Sequence, residues 1–247
     1  MRINDIIIKE TPDYVVLNKP AGTLTIPDRH DNQLTSLQGM LRKHYGEIFT
    51  VHRLDKDTSG IILFARNEVS HKYYSQLFES RNVKKFYQGL VNGQLTTPSG
   101  TVDQAIIEHP VQKGKMAINS KGKAAVTDYE VLESWGLYTL VKMQIHTGRT
   151  HQIRLHMKYL GHPIAVDELY GTEAPVFLSS IKKTYKLGKR TEEERPLLKR
   201  LGLHAWQLQF TDQQGEEQVV QAPLPKDIQA VVTQLRKNST RSTDLIL

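Results

Sequence analysis

The sequence contains no cysteine among its 247 residues, which excludes disulfide bridges and metal sites built on thiolates. No apolar run approaches the roughly 20 residues that a membrane-spanning helix needs. The first residues also lack the layout of a secretory signal, because acidic residues and Pro12 interrupt their short apolar run. We therefore expect a cytoplasmic protein that does not enter a membrane.

Acidic residues are the smaller charged class, since 26 Asp and Glu accompany 33 Lys and Arg and leave a net charge of +7. Such an excess favours a polyanionic partner, with nucleic acid as the first candidate. Many basic proteins bind no nucleic acid, so the charge alone leaves the partner open.

No repeat, low-complexity segment or linker divides the chain, and we therefore expect a single domain over residues 1–240 followed by a short tail, 241–247. Residues 179–202 differ from the rest, because charges cluster there and the apolar pattern weakens. This insertion is either a solvated loop or a surface that contacts RNA through its basic side chains, which are Lys182, Lys183, Lys186, Lys189 and Arg190.

Short runs of β-forming residues bounded by Pro, Gly and Asn predict strands through most of the chain. The runs are DYVVLNK, GIILFA, FYQGLVN, LHAWQLQF, VVQAPL and a pair that meets near Trp135-Gly136, VTDYEVLES and LYTLVKMQI. Helices are scattered among them without a regular alternation of strand and helix. The pattern favours an α+β fold with a mainly antiparallel, mixed sheet and flanking helices.

Capping residues and helix breakers locate the helices. The predicted signals are Asn67 before a helix over about residues 68–81, Thr147 or Thr150 before a second helix, Gly161 and Pro163 after it, and Pro225 before a third.

The stretch HRLDKDTSG places several ionisable groups directly before GIILFA, a predicted buried strand. It is either a polar turn in which Thr58 and Ser59 bind backbone amides, or a loop that carries chemistry on a rigid support. Asp55 and Asp57 also fit the D-x-D-x-T pattern of phosphatases with an aspartate nucleophile. In those enzymes the hydrophobic strand comes before the first aspartate rather than after it, so this alternative is disfavoured.

Three histidines, His146, His151 and His156, recur at intervals of five residues. On a helix this interval turns successive side chains by about 140°, and on a strand it alternates their faces. Neither arrangement converges on a metal ion, so the sequence predicts no metal site.

The stretch GRTHQIRLHM brings Arg149, His151 and Arg154 to the predicted start of a helix. Arginine is unfavourable at a helix N-terminus, where the dipole attracts anions. The stretch therefore predicts an anionic partner, which is a carboxylate such as Asp55, a phosphate, or both, unless the arginines form ordinary surface ion pairs.

Six stretches, in this order along the chain, resemble the RluA family of RNA pseudouridine synthases. They are VVLNKPAG, HRLDKDTSG, KKFYQGLVNG, AINSKGKAAVTDYEVL, TGRTHQIRLHMKYLGHPI and LHAWQLQF. The resemblance implies the catalytic fold of that family, with a central active-site cleft, and isomerisation of a uridine in ribosomal or transfer RNA to pseudouridine. It implies neither cofactor nor metal, because no atoms enter or leave the product, and it implies RNA rather than DNA as the partner. We expect a monomer.

The resemblance also assigns residue roles. Asp55 matches the catalytic aspartate, acting as a nucleophile or as a base at the ribose 2′ carbon. Burial alone would favour its neutral form, so a cation must hold it ionised, and Arg154 matches this partner, with Arg149 next. Tyr87 matches the tyrosine of the K-x-Y motif, which stacks on the uracil turned out of the RNA or takes part in proton transfer. Further substrate contacts are expected from Arg53, Arg149 and His151, and from Lys19 unless it is only a turn residue.

Two features depart from the family. Many members carry an N-terminal S4 domain, which we expect to be absent here because the motifs begin near the first residue, and the insertion at 179–202 is not one we recognise as common. Both features bear on which RNA is bound. The alternative function is an RNA-binding protein with the same fold and no catalysis, against which the joint presence of Asp55, Tyr87 and Arg154 argues.

Overall fold

A computed structural model of the chain describes residues 2–28, 35–186 and 193–239. The strands of this part of the chain are β1 Ile7–Glu10, β2 Tyr14–Lys19, β3 Phe49–Thr50, β4 Ser59–Ala65, β5 Lys84–Asn92, β6 Ser99–Asp103, β7 Ile106–Glu108, β8 Met116–Ile118, β9 Val126–Ser134, β10 Tyr138–Ile145, β11 Leu203–Thr211 and β12 Glu217–Gln221. The helices are α1 Leu37–Tyr45, α2 Glu68–Glu79, α3 Gln152–Tyr159, α4 Leu178–Ile181 and α5 Lys226–Asn238. None of these helices is long and apolar enough to cross a membrane.

Most of the predicted elements are confirmed. The Asn67 side chain caps α2 by accepting a hydrogen bond from the Ser70 amide. Trp135 and Gly136 lie between β9 and β10, and α5 begins directly after Pro225. The strand pairs described below are antiparallel except for one, which confirms an α+β fold with a mainly antiparallel, mixed sheet.

The chain forms two compact units. The first draws on Met1–Tyr87 and His204–Pro223, and the second on Gln88–Leu203 and Leu224–Leu247. The chain passes between units inside β5 and β11, so no linker marks the division in the sequence. The extent of a single domain over residues 1–240 stays a prediction, and the tail at 241–247 lies outside the described residues.

In the first unit, β2 lies between β1 and β4, and β4 pairs in parallel with the start of β11. The strand β3 pairs with β4, and β12 pairs with β11. Helix α2 covers the core, where the ring of Tyr14 meets those of Tyr74 and Phe210 edge to face at centroid distances of 5.4 and 5.5 Å. This framework fixes both ends of the connection from β3 to β4, residues 51–58, which we call the Asp55 loop.

In the second unit, β9 lies between β6 and β10, and β7 and β8 form a separate hairpin. Val231 and Leu235 of helix α5 are buried in the same hydrophobic core as Trp135. The charged insertion at 179–202 contributes to the same core, since its residues Ile181 and Leu198 are buried.

The basic residues of the insertion divide into two groups. Lys182, Lys183 and Lys186 are exposed, whereas Lys189 and Arg190 lie outside the described residues. Contact of this insertion with RNA stays a prediction.

Gly60 lies in β4 opposite Ala205 of β11 and has a φ of +116°. A Cβ at this position would lie 2.1 Å from the carbonyl oxygen of Ala205. We expect Gly60→Ala to lower the free energy of unfolding by about 3 kcal/mol or more, because the clash is with backbone and the conformation favours glycine. Urea denaturation followed by circular dichroism measures the loss.

Gly215→Ala is the matched control in the same unit. Gly215 has a φ of +84°, but no atom lies within 4 Å of a Cβ built there. We expect only the conformational cost of about 1 kcal/mol. Equal losses for the two variants would contradict the close approach at Gly60.

Candidate active site

The Asp55 loop carries two of the predicted site residues, Arg53 and Asp55. Leu54 between them is 8% exposed, whereas Arg53 is exposed and Asp55 partly exposed. The Thr25 hydroxyl donates to the carbonyl of Leu54 at 3.0 Å and accepts from its amide at 3.3 Å. The Thr58 amide donates to the carbonyl of Asp55 at 3.2 Å. Hydrogen bonds thus fix the backbone on both sides of the Asp55 side chain.

Lys19, the last residue of β2, is buried beneath this loop. Its ammonium donates to the carbonyls of Thr23 and Lys56, each at 2.8 Å, and of Pro20 at 3.1 Å. The Lys19 residue is 0% exposed. A buried ammonium is costly unless its donors are satisfied, and here it joins the turn after β2 to the Asp55 loop. The sequence left open whether Lys19 contacts substrate or is only a turn residue, and this geometry supports the second role.

His52 fixes the other end of the Asp55 loop. Its Nε2 accepts a hydrogen bond from the Leu63 amide in β4 at 3.0 Å, and its ring stacks on Phe78 with centroids 4.2 Å apart. Burial lowers the pKa of His52 to about 3, with a smaller contribution from the positive charge of Lys85. The ring is therefore neutral at physiological pH, as it must be for Nε2 to accept a hydrogen bond from the amide.

Tyr87, in β5, is 9% exposed. Burial raises the pKa of its phenol, and the negative charge of Asp55 raises it further. The structure therefore places Tyr87 within electrostatic reach of Asp55. The phenol stays protonated at physiological pH, so its hydroxyl can donate a hydrogen bond or a proton.

In the second unit, the side-chain amide of Gln152 organises the loop that leads from β10 into α3. Its Oε1 accepts from the Thr147 hydroxyl at 2.7 Å and from the Arg149 amide at 3.1 Å. Its Nε2 donates to the carbonyl of Val126 at 2.9 Å and to the Thr127 hydroxyl at 3.0 Å. All four hydrogen-bonding positions of the amide are thus used, and the backbone at Arg149 is held in place.

The start of α3 differs from the prediction. The helix is preceded by His151, whose φ is 56°, and neither Thr147 nor Thr150 is its N-cap. The expectation was wrong because the Thr147 hydroxyl is engaged elsewhere: it donates to Gln152 and accepts from the Val126 amide at 3.0 Å.

Arg154, on α3, forms a buried ion pair with Asp167. Its Nε and Nη2 donate to the two carboxylate oxygens at 2.8 and 2.6 Å. The two side chains are 6% and 0% exposed. Asp167 also accepts from the amides of Leu169 and Tyr170, each at 3.0 Å. The two-pronged geometry is the one in which guanidinium and carboxylate match best, so Asp167 sets the orientation of Arg154.

Asp167 is the site residue that the sequence analysis missed. A buried arginine needs a carboxylate, and the one signal was an acidic residue directly after the apolar run PIAV, which follows α3. Its distance of 13 residues from Arg154, across the end of a helix and into a loop, follows no spacing rule. The pairing of Arg154 with Asp55 stays a prediction.

Arg149 and His151 are both partly exposed. The Nε of Arg149 donates to the carbonyl of Ala124 at 3.0 Å. The Nδ1 of His151 lies 2.7 Å from the hydroxyl of Tyr170, which also accepts from the Met116 amide at 2.8 Å. These contacts orient the two side chains, and their binding of substrate stays a prediction.

The three histidines spaced by five residues have different partners. His146 binds Asp128 at 2.6 Å, and His156 is buried with its Nδ1 2.9 Å from the Thr127 hydroxyl. His151 contacts Tyr170, as described above. Each of the three rings thus has a different hydrogen-bond partner within the second unit.

The first unit therefore combines three groups that suit chemistry on an anionic substrate. Asp55 offers a carboxylate on a fixed loop, which can act as a nucleophile or a base. Tyr87 offers a protonated phenol within reach of that charge, and the exposed Arg53 can bind a phosphate.

Comparison with known proteins gives a consistent result. The family described as RNA pseudouridylate synthase matches residues 13–159. The chain is 33% identical over 246 residues to the uncharacterized RNA pseudouridine synthase YlyB of Bacillus subtilis, covering 94% of this chain and 73% of that protein. It is 34% identical over 237 residues to the ribosomal large subunit pseudouridine synthase D of Nitrosomonas europaea, covering 93% and 65%. The solved structure of human RNA pseudouridylate synthase domain containing 4 superposes with a TM-score of 0.71 at 26% identity, covering 95% of this chain and 94% of that one.

Asp167→Asn removes the charge that two nitrogens of Arg154 bind and keeps the size of the side chain. We expect the free energy of unfolding to fall by about 3 kcal/mol or more, because the buried guanidinium loses its carboxylate. Glu130→Gln is the control in the same unit, since the pair of Glu130 with Lys142 is 57% and 33% exposed, and we expect a loss below about 1 kcal/mol. Urea denaturation measures both losses of unfolding free energy. Similar losses would show that the buried pair contributes no more to stability than the exposed pair.

His52→Gln tests the neutral histidine. Because the pKa of His52 is lowered from 6.5 to about 3 on folding, the unfolded chain binds a proton in this range that the folded chain does not. The stability that His52 contributes is therefore fully present above pH 6.5 and is lost as the pH falls toward 3. Glutamine keeps an acceptor for the Leu63 amide and does not titrate.

We expect the free energy of unfolding of His52→Gln to decline less than that of the wild type as the pH falls below 6.5. Urea denaturation at a series of pH values gives the two profiles. All other titrating groups are shared, so the difference between profiles belongs to His52. Parallel profiles would show that folding does not lower the pKa of His52.

Proposed function

Because the chain belongs to the RNA pseudouridylate synthase family and is therefore an isomerase that acts on RNA, we propose that it converts a specific uridine of ribosomal RNA to pseudouridine with Asp55 as the catalytic residue. The observation that carries this proposal is the placement of Asp55, whose loop is fixed by Thr25 and Lys19 and whose carboxylate acts electrostatically on the protonated Tyr87.

The reaction rearranges one nucleotide without gain or loss of atoms. The bond between N1 of uracil and C1′ of the ribose breaks, the base turns, and C5 bonds to C1′, after which C5 loses its proton and N1 carries one. In this proposal Asp55 acts as an ionised carboxylate, either bonding to the ribose or base, or removing the proton from C2′. The resemblance of HQIR to the family pattern assigns Arg154 to keeping that carboxylate ionised.

The target base is stacked in the RNA and must be turned out to be reached. Arg53 is proposed to hold the RNA during this step, because it is exposed and lies two residues before Asp55. Tyr87 is proposed to stack on the uracil, and its protonated phenol suits a proton transfer at C5. Arg149 and His151 are proposed as further contacts to the RNA.

Ribosomal RNA is proposed as the substrate because of the names of relatives. The proteins of Nitrosomonas europaea and Vibrio parahaemolyticus, each 34% identical to this chain, are named ribosomal large subunit pseudouridine synthase D.

Pseudouridine mapping across cellular RNA tests the substrate and the catalytic residue together. In cells that lack the gene, we expect one or more ribosomal RNA sites to be lost, and to be restored by the wild type but not by Asp55→Asn. Asp57→Asn is the matched control, because Asp57 is an exposed carboxylate in the same loop to which we give no role, and it should restore the sites. On a ribosomal RNA transcript, Asp55→Asn should lower the rate by about a thousandfold or more.

Three outcomes would overturn parts of the proposal. Restoration by Asp55→Asn would remove Asp55 from the catalytic role. If sites are lost in transfer RNA alone, the substrate is transfer RNA rather than ribosomal RNA, and the role of Asp55 stands. If no site is lost and the purified protein binds RNA without modifying it, the chain is an RNA-binding protein with this fold.

A further inference from the structure

The end of α2 places an arginine where glycine is usual. Ser80 is the C-cap, and Arg81 follows it with a φ of 63°. The Arg81 amide donates to the carbonyl of Phe78 at 3.3 Å, and the Asn82 amide donates to that of Leu77 at 3.0 Å. This is the Schellman pattern, whose left-handed position glycine usually occupies. An arginine there costs about 1 kcal/mol relative to glycine, and the geometry of the helix end gives no reason for it.

Lys85, at the start of β5, follows this arginine by four residues. It is partly buried, and burial together with the charge of Arg81 lowers the pKa of its ammonium. Across residues 2–28, 35–186 and 193–239, no ion pair joins Arg81 or Lys85 to a carboxylate, and the acid nearest in sequence, Glu79, is not paired with either.

Several unfavourable features therefore coincide at one place. The backbone of Arg81 is strained, two like charges are neighbours, and one of them is partly removed from water. Strain of this kind clusters at binding sites in proteins. An anion bound between the two cations would neutralise their repulsion and replace the hydration that Lys85 has lost.

Arg81 and Lys85 form a basic cluster in the first unit, which also contains the Asp55 loop. Lys85 and Tyr87 are two residues apart on β5, so their side chains project from the same face about 7 Å apart. The charge of Lys85 also reaches His52, the residue before Arg53. The cluster thus lies within the first unit, beside the residues to which the base chemistry is assigned.

We propose that Arg81 and Lys85 form a binding site for a phosphate of the RNA backbone, close in sequence to the uridine that is turned out. The inference rests on the proposed function, because Tyr87 marks the position of the uracil. Two cations of different reach suit a phosphate diester, since the guanidinium can bind two of its oxygens and the ammonium acts as a compact point charge.

Arg81→Gly separates binding from folding, because it removes the charge and relieves the backbone strain. We expect its Tm to equal or exceed that of the wild type. We expect its Kd for large-subunit ribosomal RNA, transcribed in vitro and measured by filter binding with the full chain, to rise about tenfold. The slope of log Kd against log salt concentration should decrease by about 0.7 to 0.9, which corresponds to one lost phosphate contact.

Lys85→Gln should change the Kd and the salt slope in the same direction, and the double variant should lose little more slope than either single variant if both residues bind one phosphate. Lys72→Gln is the matched control, because Lys72 is an exposed cation on α2 and its loss changes the net charge by the same amount. We expect its salt slope to equal that of the wild type.

The possible failures are distinguishable. If Arg81→Gly and Lys85→Gln shift the Kd and slope no more than Lys72→Gln does, the phosphate site is refuted while the proposed function stands. If Arg81→Gly weakens binding and also lowers the Tm, the arginine serves the fold and the inference fails. If the wild type does not bind this RNA, the inference and the proposed substrate fail together.

Discussion

A buried ammonium holds together the part of the molecule on which the proposed chemistry depends. Lys19 donates to backbone carbonyls from the turn after β2 and from the Asp55 loop. Irregular backbone has no ladder of strand hydrogen bonds, so each buried carbonyl needs another donor. Because one side chain supplies three of these donors, the backbone around Asp55 depends on a buried cation.

In the second unit, a different kind of side chain fixes the loop that bears predicted site residues. The neutral amide of Gln152 fixes the loop before α3, and the carboxylate of Asp167 fixes the guanidinium of Arg154. In both units, a loop that bears predicted site residues is held by a buried polar side chain, which is Lys19 in the first unit and Gln152 in the second. Functional side chains need such support, because a loop alone leaves them free to adopt several rotamers.

Local patterns predicted most of the strands and helices because their causes act over a few residues, as the cap at Asn67 illustrates. The prediction for α3 failed where a tertiary contact overrode a local preference, since the hydroxyl of Thr147 is engaged by Gln152. The role of Lys19 could not be decided locally either, because one of its acceptors, Lys56, is 37 residues away. The resemblance supplied Asp55 and Tyr87 as site residues, but the supporting contacts depend on partners that only the folded chain brings together.

The net charge of +7 does not show where a basic protein binds nucleic acid. The ion pairs within the fold reduce the number of cations that are candidates for this binding. Arg154 and Arg200 face Asp167 and Asp227 in two-pronged ion pairs, so their charges are largely neutralised within the fold.

Arg81 and Lys85 differ, because they are neighbours of like charge and one of them is partly desolvated. The backbone strain at Arg81 persists in the free and bound states and so adds nothing to affinity. The repulsion and the lost hydration are relieved only when an anion binds, and that difference between states is what determines binding free energy. The strained arginine is therefore evidence for the position of the phosphate site, whereas the unneutralised charge provides its affinity.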